Sequence, residues 1–425
     1  MGIIWQTTIL AFIAFAMSML VYPFVLKFAV KHDILDNPDF RKLQRRPVPV
    51  MGGVTVYIGL MVAIVVSFFA MNSGIMAYGL MAMTVMMLVG CWDDVSDLPP
   101  TLRFIIEVAV IWVLMYAVKA RIDNFHGLWG IHSIGDSLSL PLSLVAGVGI
   151  INAINLIDGV NGYSSGYGMM ACFFFAAEFF FTGNYSMGTL CVVTGSAVVP
   201  FFLHNVFGKS SRMFIGDGGT LMLGTLLALC VFCTLSGKSP SAALESKGIG
   251  LVAFSLAVLG LPVFDTLRVM TARIVRGFSP FKPDKTHLHH LFIDCGFSHI
   301  GTAITILFSQ LILIFIWWLT WKLGGSIDLQ FYVVVAVAMF DTFVFYRMMR
   351  ISQAHNGKLF RWFVKFGDFV RVNEHKPFKA FRRFIDSKSI VGIDYNTLIP
   401  DSSNGERTSD VKEPVDTEGM TDDEK

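Results

Sequence analysis

Long apolar runs recur along nearly the whole chain, separated by short polar stretches. They fall at about 4–26, 51–70, 74–92, 102–119, 138–157, 166–182, 187–204, 218–236, 248–267, 301–321 and 330–347. Each approaches the ~20 residues an α-helix needs to cross the hydrocarbon of a bilayer. The pattern predicts an all-α, polytopic integral membrane protein with about eleven transmembrane helices. No fixed-period repeat is visible. Beyond the last run, residues 358–384 interleave Phe and Trp with Lys and Arg, which suits a segment lying on anionic lipid. Residues 400–425 are acid-rich with almost no apolar side chains, which predicts disorder. The chain therefore divides into a membrane domain (1–347), a basic, aromatic-rich segment (348–399) and an acidic tail (400–425).

Composition agrees. A chain that is 54% hydrophobic and only 15% charged is not an ordinary soluble domain. The net charge of +2 is uninformative, so the placement of charge matters. With the N-terminus outside, the inner loops are 27–50, 92–103, 158–165, 205–217 and 268–300. They carry about fourteen Lys and Arg, against about five in the outer loops. The positive-inside bias puts the C-terminus in the cytoplasm. The first twenty residues lack a basic leader and a small-residue cleavage site, which predicts a retained helix rather than a signal peptide. The six cysteines lie in or beside apolar runs, and Cys230 and Cys233 read as helix-packing residues, not as a redox or metal pair.

Every stretch with chemical content falls in an inner loop. Asn152, Asn155 and Asp158 are spaced by three and would share one helix face, followed by the breakers Gly159 and Gly162. They read as a polar cap, or as groups meeting water, a metal or a ligand. In the first loop, Arg41, Lys42, Arg45 and Arg46 precede Pro47-Val48-Pro49 and Gly52-Gly53. That is a topological anchor or a cationic patch for a lipid phosphate or nucleotide diphosphate, with glycine amides free to approach an anion. Asp93, Asp94 and Asp97 form DDxxD, whose mutual repulsion Mg²⁺ or a cation would relieve. Asp217 sits among Gly216, Gly218 and Gly219 as a candidate hard-metal ligand, and Phe214 could stack on a base. Asp265, Arg268, Arg273 and Arg276 lead to His287, His289 and His290. Zinc would lack a cysteine ligand there, so contact with phosphate oxygens is the better reading.

Acidic pairs, a glycine-flanked aspartate, a histidine cluster and basic loops on one face suit phosphoryl transfer. The membrane body implies that one substrate is a lipid.

The motifs PVPVMGG, DDVSD, NAINLIDGVNG, FIGDGGT and HLHH, in this order over about residues 1–347, resemble the polyprenyl-phosphate N-acetylhexosamine-1-phosphate transferase superfamily. Within it the chain is most similar to the bacterial undecaprenyl-phosphate N-acetylglucosamine-1-phosphate transferases of the WecA type. The resemblance implies a multi-pass protein of the bacterial inner membrane. Its implied partners are a UDP-amino sugar and undecaprenyl phosphate, with no nucleic acid and with a homodimer allowed. Mg²⁺ is the implied cofactor, with Mn²⁺ able to substitute. Asp217 and Asp94 are implied metal ligands, and Asp93, Asp94, His289 and His290 implied catalytic groups. Arg46, Asn155, Asp158, Asn161, Phe214 and His287 are implied substrate contacts. Many members carry an aspartate where this chain has Asn161, which keeps shape and hydrogen bonding but loses charge. Two other enzymes compete: a phospho-muramoyl-pentapeptide transferase and a membrane prenyltransferase, the latter lacking a second Asp-rich motif. A transporter would place its acids mid-helix. The basic segment after about Gln353 has no implied catalytic role and is expected to be dispensable for activity.

Overall fold

A computed structural model describes residues 2–38, 47–71, 74–279, 285–372 and 375–387. Helices stand at all eleven predicted positions: α1 (Ile3–Lys31), α2 (Gly52–Met71), α3 (Gly74–Ser96), α4 (Pro100–Val118), α5 (Asp136–Leu156), α6 (Tyr163–Thr182), α7 (Tyr185–Phe207), α8 (Gly216–Thr234), α9 (Leu251–Val275), α11 (His299–Lys322) and α12 (Ile327–Met339). A short α10 (Leu288–Asp294) precedes α11. A π turn at Phe340–Val344 joins α12 to α13 (Phe345–Ala354), and α14 (Lys358–Phe369) and α15 (Lys376–Ser387) follow. Among the described residues, nine helices are long and apolar enough to cross a membrane, counting α12 and α13 as one. The chain is a multi-pass membrane protein.

The helices outrun the apolar runs that predicted them. α3 continues through Asp93 and Asp94, and α9 through Asp265 to Val275. Backbone hydrogen bonds propagate a helix whether or not its side chains face lipid. Asp93 and Asp94 are therefore held on a rigid turn, not in a loop, and Asp265, near the end of its predicted run, lies well inside its helix. Asp158 differs the other way. α5 ends at Leu156, so Asp158 lies in the following turn and does not share a helical face with Asn155. Strand content is confined to β1 (Leu35–Asp36) and β2 (Val48–Pro49), an antiparallel pair with Leu35 opposite Pro49. Proline at 47 and 49 disfavours helix there.

α8 is the axis of the bundle, enclosed along almost its whole length. Helices in lipid associate by close packing more than by hydrophobic drive, so small residues matter at the crossings. A Cβ on Gly90 of α3 would come within 2.3 Å of the Gly218 amide, and one on Gly53 of α2 within 2.3 Å of the Gly219 amide. These glycines bring α2 and α3 onto the first turn of α8. The suggested anion-binding role of Gly52-Gly53 is replaced by pairing: the Gly52 and Gly53 amides donate to the carbonyls of Phe214 and Ile215 at 2.8 and 2.7 Å.

Polar groups within the bundle are matched. Pro262 leaves the Val258 carbonyl of α9 without its helical donor. The Tyr167 hydroxyl of α6 donates to it. Gln310 of α11 accepts from the Leu261 amide at 3.0 Å and donates to the Ala257 carbonyl. Large exposed apolar side chains, among them Phe12, Phe24, Trp112 and Phe308, suit a lipid-facing belt. The described parts of the five stretches predicted as inner loops gather at one end of the bundle, where Asp94 of α3 meets the start of α8 and Asn205 of α7 meets Gly162. The other end is closed by contacts such as Asp123 with the Gly237 amide and Gln330 with the Gly250 amide. None of the six cysteines forms a disulfide, and five are buried, including Cys230 and Cys233.

Candidate active site

Arg103 organises the site. It stands one turn into α4, after Pro99-Pro100 has turned the chain back from α3. Its Nη1 donates to Asp93 Oδ2 at 3.0 Å and to Asp217 Oδ2 at 2.8 Å. Its Nε donates to Glu107 Oε1 at 3.1 Å, and its Nη2 to Asn155 Oδ1 at 2.9 Å. Asn155 Nδ2 in turn donates to Asp217 Oδ1 and to Thr220 Oγ1, both at 2.9 Å. Asn152 donates to Glu107. Three helices and the start of α8 thus share one charged network.

Asp94 does something else. Its carboxylate accepts from the amides of Asp217 at 2.9 Å and Gly218 at 3.3 Å. A carboxylate at a helix N-terminus satisfies amides that have no helical acceptor and complements the dipole. Asp94 thus occupies the amides at the head of α8 and fixes where Asp217 sits.

A cavity of about 400 Å³ opens in front of this network. Asp36, Asp93, Asp94, Asp97, Asp158 and Asp217 line it, together with Asn161, Phe214, His290 and His299. Phe214 is fixed by its amide, which donates to the Pro49 carbonyl at 2.8 Å. Asp158 accepts from the Ser164 hydroxyl. Asp158 is exposed on the cavity wall.

The three histidines separate. His290 lines the cavity. His287 caps α10 and its Nδ1 lies 2.9 Å from Asp265 Oδ2; Asp265 also accepts from Arg268, so these three form an internal brace. His289 is buried against Gly159, whose imagined Cβ would fall 2.0 Å from its Nε2. Burial, with His290 and His287 alongside, holds His289 well below the ordinary imidazole range, so it is neutral at pH 7. Asn155 stands behind Asp217 rather than on the cavity wall. Arg46 lies outside the described residues, as do Arg41, Lys42, Arg45 and Asp284. So does the acidic tail, 400–425.

The donor set suits a hard cation. Asp93 and Asp217 each turn an oxygen on the same guanidinium nitrogen, with the Asn155 amide beside them. Mg²⁺ is commonly held by one or two carboxylates with water and substrate phosphates completing its shell. Among the described residues, no group of three His, Cys, Asp or Glu is arranged as a ready-made metal cage.

Sequence reasoning passed over Arg103, Glu107, Asp36, Asn205 and His299. Two signals were available. Arg103 is the lone base of an otherwise acidic loop, and Glu107 follows it by four residues on a helix that is otherwise apolar.

Residues 75–235 match the model of glycosyl transferase family 4. That stretch holds Asp93, Asp94, Arg103, Asn155, Asp158, Phe214 and Asp217, and ends before the histidines. The chain is 27% identical over 291 residues to the undecaprenyl-phosphate alpha-N-acetylglucosaminyl 1-phosphate transferase of Escherichia coli (strain K12), covering 67% of this chain and 76% of that protein. It is 25% identical over 290 residues to the protein of the same name from Salmonella typhi, covering 68% and 76%. With the one from Yersinia pestis it is 26% identical over 310 residues, covering 70% and 80%.

Proposed function

We propose that this chain transfers N-acetylglucosamine-1-phosphate from UDP-N-acetylglucosamine to undecaprenyl phosphate, releasing UMP and starting a lipid-linked surface glycan. The observation that carries the reading is the single network joining Asp93, Asp217, Arg103 and Asn155 at the wall of an Asp-lined cavity. The similarity to the named transferases supplies the substrates.

The chemistry is mostly one of bringing anions together. A phosphate monoester with a second pKa near ~6 is largely dianionic at neutral pH, so the lipid nucleophile needs little deprotonation. The obstacle is repulsion: six aspartates face the cavity, and both substrates carry phosphate. Mg²⁺, held by Asp217 with Asp93, would supply charge neutralisation and a template for the diphosphate. Arg103 holds these carboxylates in place and withdraws part of their charge. Asp94 fixes the first turn of α8, so Asp217 does not wander. Phe214 offers a ring to the uracil, His290 a contact to phosphate oxygens, and Asn161 an amide to the sugar or nucleotide. The lipid phosphate attacks the sugar-linked phosphorus; the bond to the UMP oxygen breaks, and UMP leaves with the electron pair. One phosphoanhydride replaces another, so the step is readily reversible. In this reading the site end of the bundle faces the cytoplasm of a bacterial inner membrane, with the N-terminus outside.

The test is UMP release by purified protein given undecaprenyl phosphate, Mg²⁺ and a panel of UDP-sugars. Release that needs both lipid and metal, with UDP-N-acetylglucosamine preferred, is expected. Folded protein that releases no UMP from any UDP-sugar would refute the proposal.

A further inference from the structure

The C-terminal segment was expected to be dispensable, yet it is bonded to the loop that carries the site. α15 lies across the end of α7. Phe378 is buried among Val206, Ile300, Phe202 and Phe207, and Phe381 meets the Phe207 ring edge-on at 4.7 Å. The Arg382 Nε donates to the Phe207 carbonyl at 3.3 Å. One turn further on, Asp386 accepts from the Lys209 amide at 3.0 Å, the Ser210 amide at 3.3 Å and the Ser211 hydroxyl at 3.2 Å. Every other charged residue of α15 is basic. The one acid of the helix is therefore the group that closes on the loop, where successive amides present a site for an anion.

That loop is short and leads straight to the chemistry. Three residues after Ser211 comes Phe214, and three later Asp217. The membrane body braces it from below: the Tyr22 hydroxyl donates to the Ser211 carbonyl at 2.7 Å, Ser211 Oγ lies 2.9 Å from His204 Nδ1, and Asn205 Nδ2 donates to the Met213 carbonyl at 2.8 Å. Tyr22 and His204 stack with centroids 4.1 Å apart. Asp386 is a contact from outside that body, made across 175 residues of sequence.

We infer that Asp386 and α15 form a clasp that positions the 209–217 loop, and through it Phe214 and Asp217, for the nucleotide. Asp386 is a positioning residue: it does not line the cavity and acts through the loop. The inference rests on the proposed transferase reading for its kinetic arm, but the contact itself can be tested without substrate.

The experiment compares the full chain with its Asp386→Ala and Asp386→Asn variants in detergent. Hydrogen exchange over peptides covering 207–217 reads the clasp directly. The alanine variant should exchange these amides roughly tenfold faster, Phe214 included, while peptides of α5 and α8 stay unchanged. Asparagine keeps one accepting oxygen and should recover part of the protection. In UMP release, the alanine variant should raise KM for the UDP-sugar about five- to tenfold and leave KM for the lipid phosphate near wild type. Unchanged exchange at 209–211 would show that the clasp does not form. Faster exchange with an unaltered KM for the UDP-sugar would show that it forms but positions nothing. Wild-type protein without UMP release would sink the transferase reading, while exchange at Phe214 would still decide the clasp.

Discussion

Removing the Arg103 guanidinium should cost both stability and turnover, and the two losses have different sources. Glu107 is the stability term. Its side chain is 1% exposed, and its charge is met by Arg103 at 3.1 Å and by Asn152. Breaking such a pair from one side leaves a buried carboxylate uncompensated, at about 3 kcal/mol. Asp93 and Asp217 face the cavity, at 14% and 34% exposure, where solvent screens them, so each adds at most ~1 kcal/mol. Arg103→Met should therefore destabilise by roughly 3–5 kcal/mol. Glu107→Gln in the same chain should return most of it, since the neutral amide can still bond Asn152. The assay is a double-mutant cycle on reversible unfolding in mixed micelles, and the coupling energy should be about 2–3 kcal/mol. Turnover should not return with it. Asp93 and Asp217 remain unpaired in the double variant, so UMP release should stay at least ~10² below wild type, as when a placed charge-stabilising donor is lost. A coupling energy near zero would refute the account of Glu107. Wild-type turnover in Arg103→Met would refute the account of the site.

Three further outcomes follow from the geometry. Asp217→Asn should abolish Mg²⁺-stimulated UMP release while leaving insertion and melting near wild type; near-normal metal-dependent turnover would remove Asp217 from the metal. Tyr167→Phe strips the donor from the Val258 carbonyl beside Pro262 and should destabilise by ~1 kcal/mol without changing either KM, as unfolding and steady-state assays would show. Burial keeps the His289 imidazole neutral in the folded chain, whereas the unfolded chain takes up its proton near pH 6.5. The unfolded state then binds more protons as pH falls below about 6.5, and stability drops by up to ~1.4 kcal/mol per pH unit until the folded imidazole itself titrates. His289→Gln should flatten that part of the stability profile, and an unaltered acid slope would contradict the assignment.

The apolar runs alone fixed the class, the helix positions and the end of the bundle where the polar motifs meet. The reason is that a bilayer demands ~20 apolar residues per crossing, a constraint written locally in the chain. The chemistry-bearing stretches were equally legible, because aspartates, glycines and histidines stand out against an apolar background. Their division of labour was not. Asp93 and Asp94 are neighbours in sequence, yet one meets Arg103 and the other caps α8, because adjacent side chains on a helix point about 100° apart. Three histidines of one motif became a cavity group, a brace partner and a packing residue for the same reason. Arg103 and Glu107 mark each other by their spacing of four, but nothing local marks the Asp217 partner of Arg103, 114 residues away, or the partners of Asp386, up to 177 residues away. Only the packing of α3, α4, α5, α8 and α15 around one end of the bundle decides what those charges meet.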